Sequence, residues 1–220
     1  MYRIGLILRN IQLGRSKSFS MEKQTGVRKQ IANLASNILN PFLLSLAIIL
    51  LLSFASTAST LDALKWVLIS MVLSVLPVLL VIVYWVRNGR LDAVFTNIRE
   101  QRTKIYLLAA LCAVIGSIIL TYLGAPSILV AAFTAGLSTI IIFLLINLRW
   151  KISLHTAFVS GSVTLLVMLY GWIAVATVVL VPLMAWARIE LKHHSLAQTA
   201  TATVLATLIV IVVFYRFLLA

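Results

Sequence analysis

Seven long apolar runs limit what this chain can fold into. A helix needs about 20 apolar residues to cross the hydrocarbon core of a bilayer. The 220 residues are 62% hydrophobic and only 10% charged, whereas a soluble domain is about half apolar and about one quarter charged. The runs therefore predict an all-α, polytopic membrane helix bundle of about seven spans. The predicted spans are residues 38–57, 65–86, 104–123, 126–146, 155–170, 172–187 and 199–218.

Two joints between these runs bear on the span count. Gly124 and Pro126 predict a tight turn between the third and fourth spans, because proline cannot continue a helix and glycine frees the backbone. The fifth and sixth spans are short and are joined only around Gly171, so their boundary is the least defined. The length allows one domain. We expect a transmembrane domain over residues 38–220, preceded by a basic segment over residues 1–37.

The positive charge of the chain follows the predicted spans. Lys and Arg number 18 against 5 Asp and Glu, which gives a net charge of +13. Such a charge could indicate a nucleic-acid partner, but these cations lie between apolar spans, where they indicate membrane orientation. All except Lys65 and Arg216 fall on one side, and the positive-inside rule makes that side cytoplasmic. The sequence predicts a multi-pass protein of the bacterial inner (plasma) membrane with a cytoplasmic amino terminus, an extracytoplasmic carboxyl terminus and no nucleic-acid partner.

The segment before the first span, residues 1–37, is basic and amphipathic. Between Ile4 and Leu13 its apolar residues alternate with Arg and Asn. This pattern is typical of a cytoplasmic segment that lies on an anionic leaflet, although a flexible basic tail accounts for it equally well. An anionic lipid bilayer is therefore an expected partner, whereas the sequence carries no signal for the oligomeric state.

Three polar clusters interrupt the apolar runs and hold all three histidines of the chain. They cover residues 89–104, 148–155 and 186–198, and two predicted spans separate each cluster from the next. Because an even number of crossings returns the chain to the same face, the clusters are predicted to meet in one pocket at the membrane boundary. Converging cations beside neutral donors suit a phosphate or diphosphate, since Arg offers a bidentate fork and Lys a point charge.

Other kinds of site have little support in this composition. The chain has one Cys, which excludes an internal disulfide framework and a multi-cysteine metal site. Asp92 and Glu100 are a thin ligand set for Mg²⁺ and have arginines nearby with which to pair. We therefore expect neither a metal nor a cofactor.

The second cluster carries a motif with a definite spacing. The stretch KISLH, residues 151–155, is similar to a Pro-Ser-Gly-His motif: Ser153 and His155 fall on its Ser and His, and Leu154 replaces its Gly. That motif belongs to the type 2 phosphatidic acid phosphatase family, membrane phosphatases related to vanadium haloperoxidases. The chain resembles a divergent bacterial branch of this family over residues 60–218.

The third cluster resembles another motif of the same family, a Ser-Arg followed by His and then Asp. In the stretch ARIELKHHSLAQ, Arg188 falls on the Arg and His194 on the His, with the family's five-residue gap. Ala187 replaces the Ser and Gln198 replaces the Asp. A neutral amide therefore stands where the family has a carboxylate.

The first cluster is a more distant match. The family motif is a Lys six residues before Arg-Pro, and the stretch NIREQRTK places Arg102 on the Arg and Thr103 on the Pro. Phe95 stands at the Lys position, and Arg99 is a candidate to compensate for that lysine.

The resemblance implies a six- to seven-helix core with a metal-free phosphoryl-transfer site. In this family the third-motif His attacks phosphorus to form a phospho-histidine, and the second-motif His protonates the leaving alcohol. Carried over, His194 is the nucleophile, His155 is the general acid, and Gln198 orients the His194 ring. His193 points about 100° away around a helix and is expected to matter less. The residues expected to bind the phosphate are Arg99, Arg102, Lys151, Ser153 and Arg188.

We therefore expect an integral membrane phosphatase that hydrolyses a membrane lipid phosphate, either phosphatidate or a polyprenyl phosphate or diphosphate. Three alternatives stay open: a transferase or cyclase that ionises a prenyl diphosphate on the same fold, a non-catalytic relative that binds a lipid phosphate or a partner, and a transporter. Release of free phosphate distinguishes the phosphatase from the transferase, from which diphosphate would leave intact.

Overall fold

Helices account for all the regular structure that the computed structural model describes, which covers residues 26–96 and 98–219. Most of the predicted basic segment, residues 1–25, lies outside this description, and its last part forms helix α1. The helices are α1 Gly26–Ile38, α2 Pro41–Ser56, α3 Thr60–Leu73, α4 Val75–Arg87, α5 Arg99–Tyr122, α6 Ser127–Asn147, α7 Leu154–Tyr170, a 3₁₀ helix Gly171–Val179, α8 Leu180–Glu190 and α9 Leu196–Leu219.

Local sequence signals explain several of the helix ends. Asn40 separates α1 from α2, which are bent by 43°, and its side-chain oxygen accepts hydrogen bonds from the backbone N–H groups of Phe42 and Leu43. Pro41 then occupies the first turn of α2, where its missing N–H costs nothing. Pro77 explains the break between α3 and α4, because its ring would clash with the carbonyl of residue 73 in a continuous helix.

The number of spans differs from the prediction. Within the described residues, five helical runs are long and apolar enough to cross a membrane, or six if the bent α1–α2 pair is one span. Seven spans are therefore not confirmed. The difference lies in the predicted fifth and sixth spans, because Leu154–Glu190 is one helical run of 37 residues. The tight turn predicted between the third and fourth spans is present, between α5 and α6.

The run Leu154–Glu190 folds back on itself. Gly171 has φ +60° and ψ −136°, a conformation that side chains with a Cβ rarely adopt. Beyond it, α8 returns along α7, and Met184 packs against Val159 and Val163. The end of α8 therefore lies beside the beginning of α7, which brings the second and third polar clusters together.

The core of the bundle forms where α6 packs against α5 and α9. Its largest cluster includes Leu120, Leu129, Phe133 and Phe214, all buried. Many large apolar side chains point outward instead, among them Leu68, Leu80, Leu111, Ile118 and Val212. A bundle that is apolar both inside and outside suits a bilayer, where the outer face meets lipid tails.

Candidate functional site

Arg102 is fixed in the first turns of α5 and is only 5% exposed. Its guanidinium donates one hydrogen bond to the backbone carbonyl of Ile152 and another to the hydroxyl of Tyr106, one turn further along the helix. The first of these bonds ties α5 to the loop that precedes α7. The polar cluster of residues 89–104 is thus joined to the cluster of residues 148–155.

His155 occupies the first turn of α7, next to the residue that caps this helix. Ser153 is the N-cap: its hydroxyl accepts the backbone N–H of Thr156 at 3.4 Å and lies 2.9 Å from the Thr156 hydroxyl. The buried His155 ring meets the edge of Phe95, with ring centroids 4.8 Å apart. The amino terminus of a helix carries a partial positive charge, so the surroundings of His155 favour an anion.

Arg188 lies near the end of α8 and is only 4% exposed. Its Nη1 donates to the hydroxyl of Ser36 on α1 at 2.9 Å, while its buried Nε has no hydrogen-bond partner among the described residues. An unsatisfied buried donor costs about 1–3 kcal/mol. The guanidinium is therefore held in place with donor capacity left over for a ligand.

A helix-ending motif places the two adjacent histidines. The N–H of His193 bonds to the carbonyl of Arg188 at 3.0 Å, and the N–H of Lys192 to that of Ile189 at 2.9 Å, the pair of bonds of a Schellman motif. Lys192 has φ +57° at the position that usually holds glycine. The N–H of His194 also reaches the carbonyl of Arg188, at 3.2 Å. The turn thus joins Arg188 and His194 through the backbone.

The His194 ring is oriented by the residue expected from sequence. Its Nδ1 lies 3.0 Å from Oε1 of Gln198 in the first turn of α9, and the same oxygen accepts the backbone N–H of Ser195 at 3.2 Å. An amide oxygen is an acceptor only, so Nδ1 carries the proton of the neutral ring. The lone pair of His194 is therefore on Nε2, the nitrogen that a nucleophile would use.

Burial and nearby positive charges keep His193 and His194 neutral. Burial, and then the positive charges of Arg102, Arg188 and Lys151, lower the pKa of His194 to about 3, against a small opposite effect of Gln198. Burial and the charges of Arg188 and Lys151 lower the pKa of His193 to about 4. The pKa of Lys151 is lowered as well, by burial and by the two arginines. Both rings are free bases at neutral pH, and their surroundings are short of negative charge.

Four of the residues predicted to form the site line one cavity of about 290 Å³: Arg102, His155, Arg188 and His194. The even number of predicted crossings placed His155 and His194 on the same face, and the structure brings them to the same pocket.

The other predicted residues lie around that cavity or outside it. Gln198 is hydrogen-bonded to Nδ1 of His194, and the charge of Lys151 lowers the pKa of both His193 and His194. Ser153 is fully buried, with its hydroxyl used in the cap of α7. Arg99 is exposed, lies outside the cavity and pairs with Glu100 at 3.3 Å.

Sequence reasoning missed the contact that holds Arg188. Ser36, on α1, holds Arg188 from 152 positions earlier in the chain. No local pattern marks such a pair, and the sequence assigned this region to a surface segment. A second contact, from Tyr106 to Arg102, was within reach because the two residues are four apart on one helix.

Comparisons with known proteins do not place the chain. No family model matches it, and neither a curated protein nor a solved structure shows significant similarity. In the described part of the chain, no group of three His, Cys, Asp or Glu side chains is placed to hold a metal ion.

Proposed function

We propose that this chain is an integral membrane phosphatase that hydrolyses a lipid phosphate, phosphatidate or a polyprenyl phosphate or diphosphate, through a phospho-histidine on His194. One observation carries the proposal: a buried neutral His194, oriented by Gln198 through Nδ1, lines the same cavity as Arg102, Arg188 and His155. The resemblance of the second and third motifs to the type 2 phosphatidic acid phosphatases supports the same chemistry.

The residues divide the reaction into two balanced steps. Nε2 of His194 attacks phosphorus and forms an N–P bond, while the P–O bond to the lipid breaks. His155, which takes up a proton when the anionic phosphate binds beside it, donates that proton to the leaving oxygen. A water molecule then gives a proton to His155 and attacks phosphorus, the N–P bond breaks and inorganic phosphate leaves. Arg102 and Arg188 neutralise the negative charge of the phosphate oxygens in both steps. Fixed charges at these oxygens contribute most to phosphoryl transfer.

Gln198 gives His194 its orientation without a counter-charge. In the phosphorylated state the imidazole ring carries positive charge, and an amide stabilises that charge less than a carboxylate would. In a serine protease triad the same exchange costs about 10⁴ in turnover because the tautomer becomes wrong; Gln198 presents its oxygen and keeps the tautomer, so the loss here is smaller. We therefore propose a slow phosphatase whose His194 is correctly placed and whose phospho-histidine lacks full electrostatic support.

The proposed topology has seven crossings and a cytoplasmic site. We count α7 as one crossing and the 3₁₀ helix with α8 as the next, because α8 returns along α7 to bring Arg188 to the cavity of His155. The distribution of Lys and Arg then puts the amino terminus and the site on the cytoplasmic face of the bacterial inner membrane. Reporter fusions at the two termini test this, since they should lie on opposite faces.

The decisive assay uses purified protein in detergent with a panel of lipid phosphates and diphosphates. Free phosphate release by the wild-type chain supports the proposal. Release of intact diphosphate would indicate the prenyl transferase or cyclase instead, and binding without turnover would indicate a non-catalytic lipid-phosphate receptor.

A further inference from the structure

The cavity continues far beyond its charged end. Along α5 it is lined from Arg102 to Ala113, and those 11 residue steps correspond to about 16 Å at the rise of an α-helix. The hydrocarbon core of a bilayer is about 30 Å thick, so the groove reaches about halfway through it. Beyond the arginines and histidines, its walls come mostly from apolar side chains of α2, α4, α5 and α6.

The inner end of this groove is closed by buried side chains. Leu52, Leu129 and Phe133 line the cavity and also belong to the largest core cluster of the bundle. Phe133 is the bulkiest of the three. Leu129 lies one turn beyond it on α6, so the Phe133 ring narrows the groove near its inner end.

The position of the Phe133 ring depends on a glycine of the neighbouring helix. A Cβ atom added to Gly116 would lie 2.7 Å from Cε1 and 3.0 Å from Cδ1 of Phe133. The first distance is shorter than real Cβ contacts and the second is tighter than most of them, so the ring rests in a notch that glycine leaves open. A methyl group at this position must push the ring away from α5.

We propose that the groove binds the hydrocarbon tail of the lipid phosphate and that Phe133, seated on Gly116, sets the longest tail that fits. The inference rests on the proposed function and adds the substrate class: a lipid phosphate whose tail lies inside the protein. The cationic end matches the phosphate, and the apolar groove that continues from it matches the tail. Lipid tails are already in an apolar medium, so selectivity here comes from steric fit.

The test compares tail-length profiles of matched variants of the full chain in detergent. The probes are straight-chain alkyl phosphates of increasing length for phosphate release, and the corresponding alkyl phosphonates for thermal stabilisation. Phe133→Leu shortens the floor residue and should improve use of tails too long for the wild type by about tenfold. Gly116→Ala should move the optimum to shorter tails by a similar factor. Comparing variants with the same ligand cancels its partition into micelles.

Two further variants keep the result interpretable. Leu120→Val alters the same core but not the cavity lining, and it should keep the wild-type profile. Phe133→Leu in the Gly116→Ala background removes the overlap and should restore longer tails.

Unchanged profiles in both Phe133→Leu and Gly116→Ala, in folded proteins that still bind short alkyl phosphonates, would overturn the inference. The phosphonate measurements separate this inference from the proposed function. If the chain releases no phosphate but is stabilised in a way that depends on tail length, the tail-binding groove is supported and the phosphatase activity is ruled out.

Discussion

The two ends of the helical bundle differ in whether they bury cations without a carboxylate partner. At the end that begins α3, Lys65 and Asp62 form an ion pair at 3.4 Å, and both side chains are more than half exposed. At the site end, Arg102 and Arg188 are almost completely buried, and neither pairs with a carboxylate in the described part of the chain. An exposed pair contributes at most about 1 kcal/mol, whereas a buried cation without a counter-charge is costly. The difference supports the proposal that the buried cations of the site end bind an anionic ligand.

Removal of the proposed nucleophile should have the largest effect at the site end. His194→Ala should lower phosphate release by about 10⁴-fold or more, because the proposed mechanism has no other nucleophile. The neighbouring His193→Ala is the matched control and should keep most of the activity, since His193 does not line the cavity. Steady-state assays of the two variants with one lipid phosphate measure the contrast. Full activity in His194→Ala would rule out the phospho-histidine mechanism.

Loss of a cation should matter at one end of the bundle and not at the other. Arg188→Met should lower kcat by about 10²- to 10³-fold, the range seen when one transition-state donor is removed. It should also raise the thermal unfolding temperature, because a buried unpaired charge is lost. Lys65→Met, at the opposite end, should leave kcat unchanged. Equal changes of kcat in Arg188→Met and Lys65→Met would contradict the proposed difference between the two ends.

A carboxylate at position 198 would add a negative charge at the site end, where Arg102 and Arg188 lack a carboxylate partner in the described part of the chain. Gln198→Glu keeps the length of the side chain and adds the negative charge that the site lacks, beside His194 and within reach of its cations. We expect kcat to rise by about tenfold, because a charged acceptor stabilises the phosphorylated ring better than an amide. Turnover of Gln198→Glu and Gln198→Asp against the wild type measures it. Lower turnover in both would mean that the pocket is built around a neutral amide.

The smallest predicted effect is a loss of folding stability in acid that comes from His194. The pKa of His194 is about 3 in the folded chain because of burial and of the charges of Arg102, Arg188 and Lys151, and about 6.5 in an unfolded chain. Between these values the unfolded state binds more protons, so stability is complete above about pH 6.5 and falls as the pH drops towards 3. His194→Ala should therefore lose about 2 kcal/mol less than the wild type between about pH 7 and pH 5 in phosphate-free buffer. Parallel pH curves of thermal unfolding for the two proteins would contradict this.

The sequence predicted those parts of the site that depend on short spacings. Gln198 contacts His194 as the spacing of four residues predicted. The predicted helix through His193 and His194 is wrong, however, because both lie in the turn between α8 and α9. The shared pocket of His155 and His194 followed from counting crossings between polar clusters. These inferences needed only the periodicity of helices and the even number of spans.

The remaining features depend on tertiary packing. The sequence joined the fifth and sixth predicted spans around Gly171, where the run Leu154–Glu190 folds back, but only the packing of α8 against α7 shows that it does so. Arg99 begins α5 at the exposed end of that helix and pairs with Glu100. No spacing rule could show from the sequence that Arg99 lies outside the cavity. The contact between Ser36 and Arg188 joins two distant helices. The sequence could not show that the floor of the groove rests on Gly116, because that requires the distance between α5 and α6.

The central claim, a covalent phosphate on His194, can be tested most directly in a His155→Asn variant given an aryl phosphate. An aryl leaving group departs without a proton, so the first step should proceed, whereas the second step loses the base that activates water. We predict a burst of about one phenolate per active site, together with an acid-labile phosphate that mass spectrometry locates on His194 and not on His193. A wild-type chain that turns over this substrate, combined with no burst and no phosphate on His194 in the variant, would contradict the mechanism.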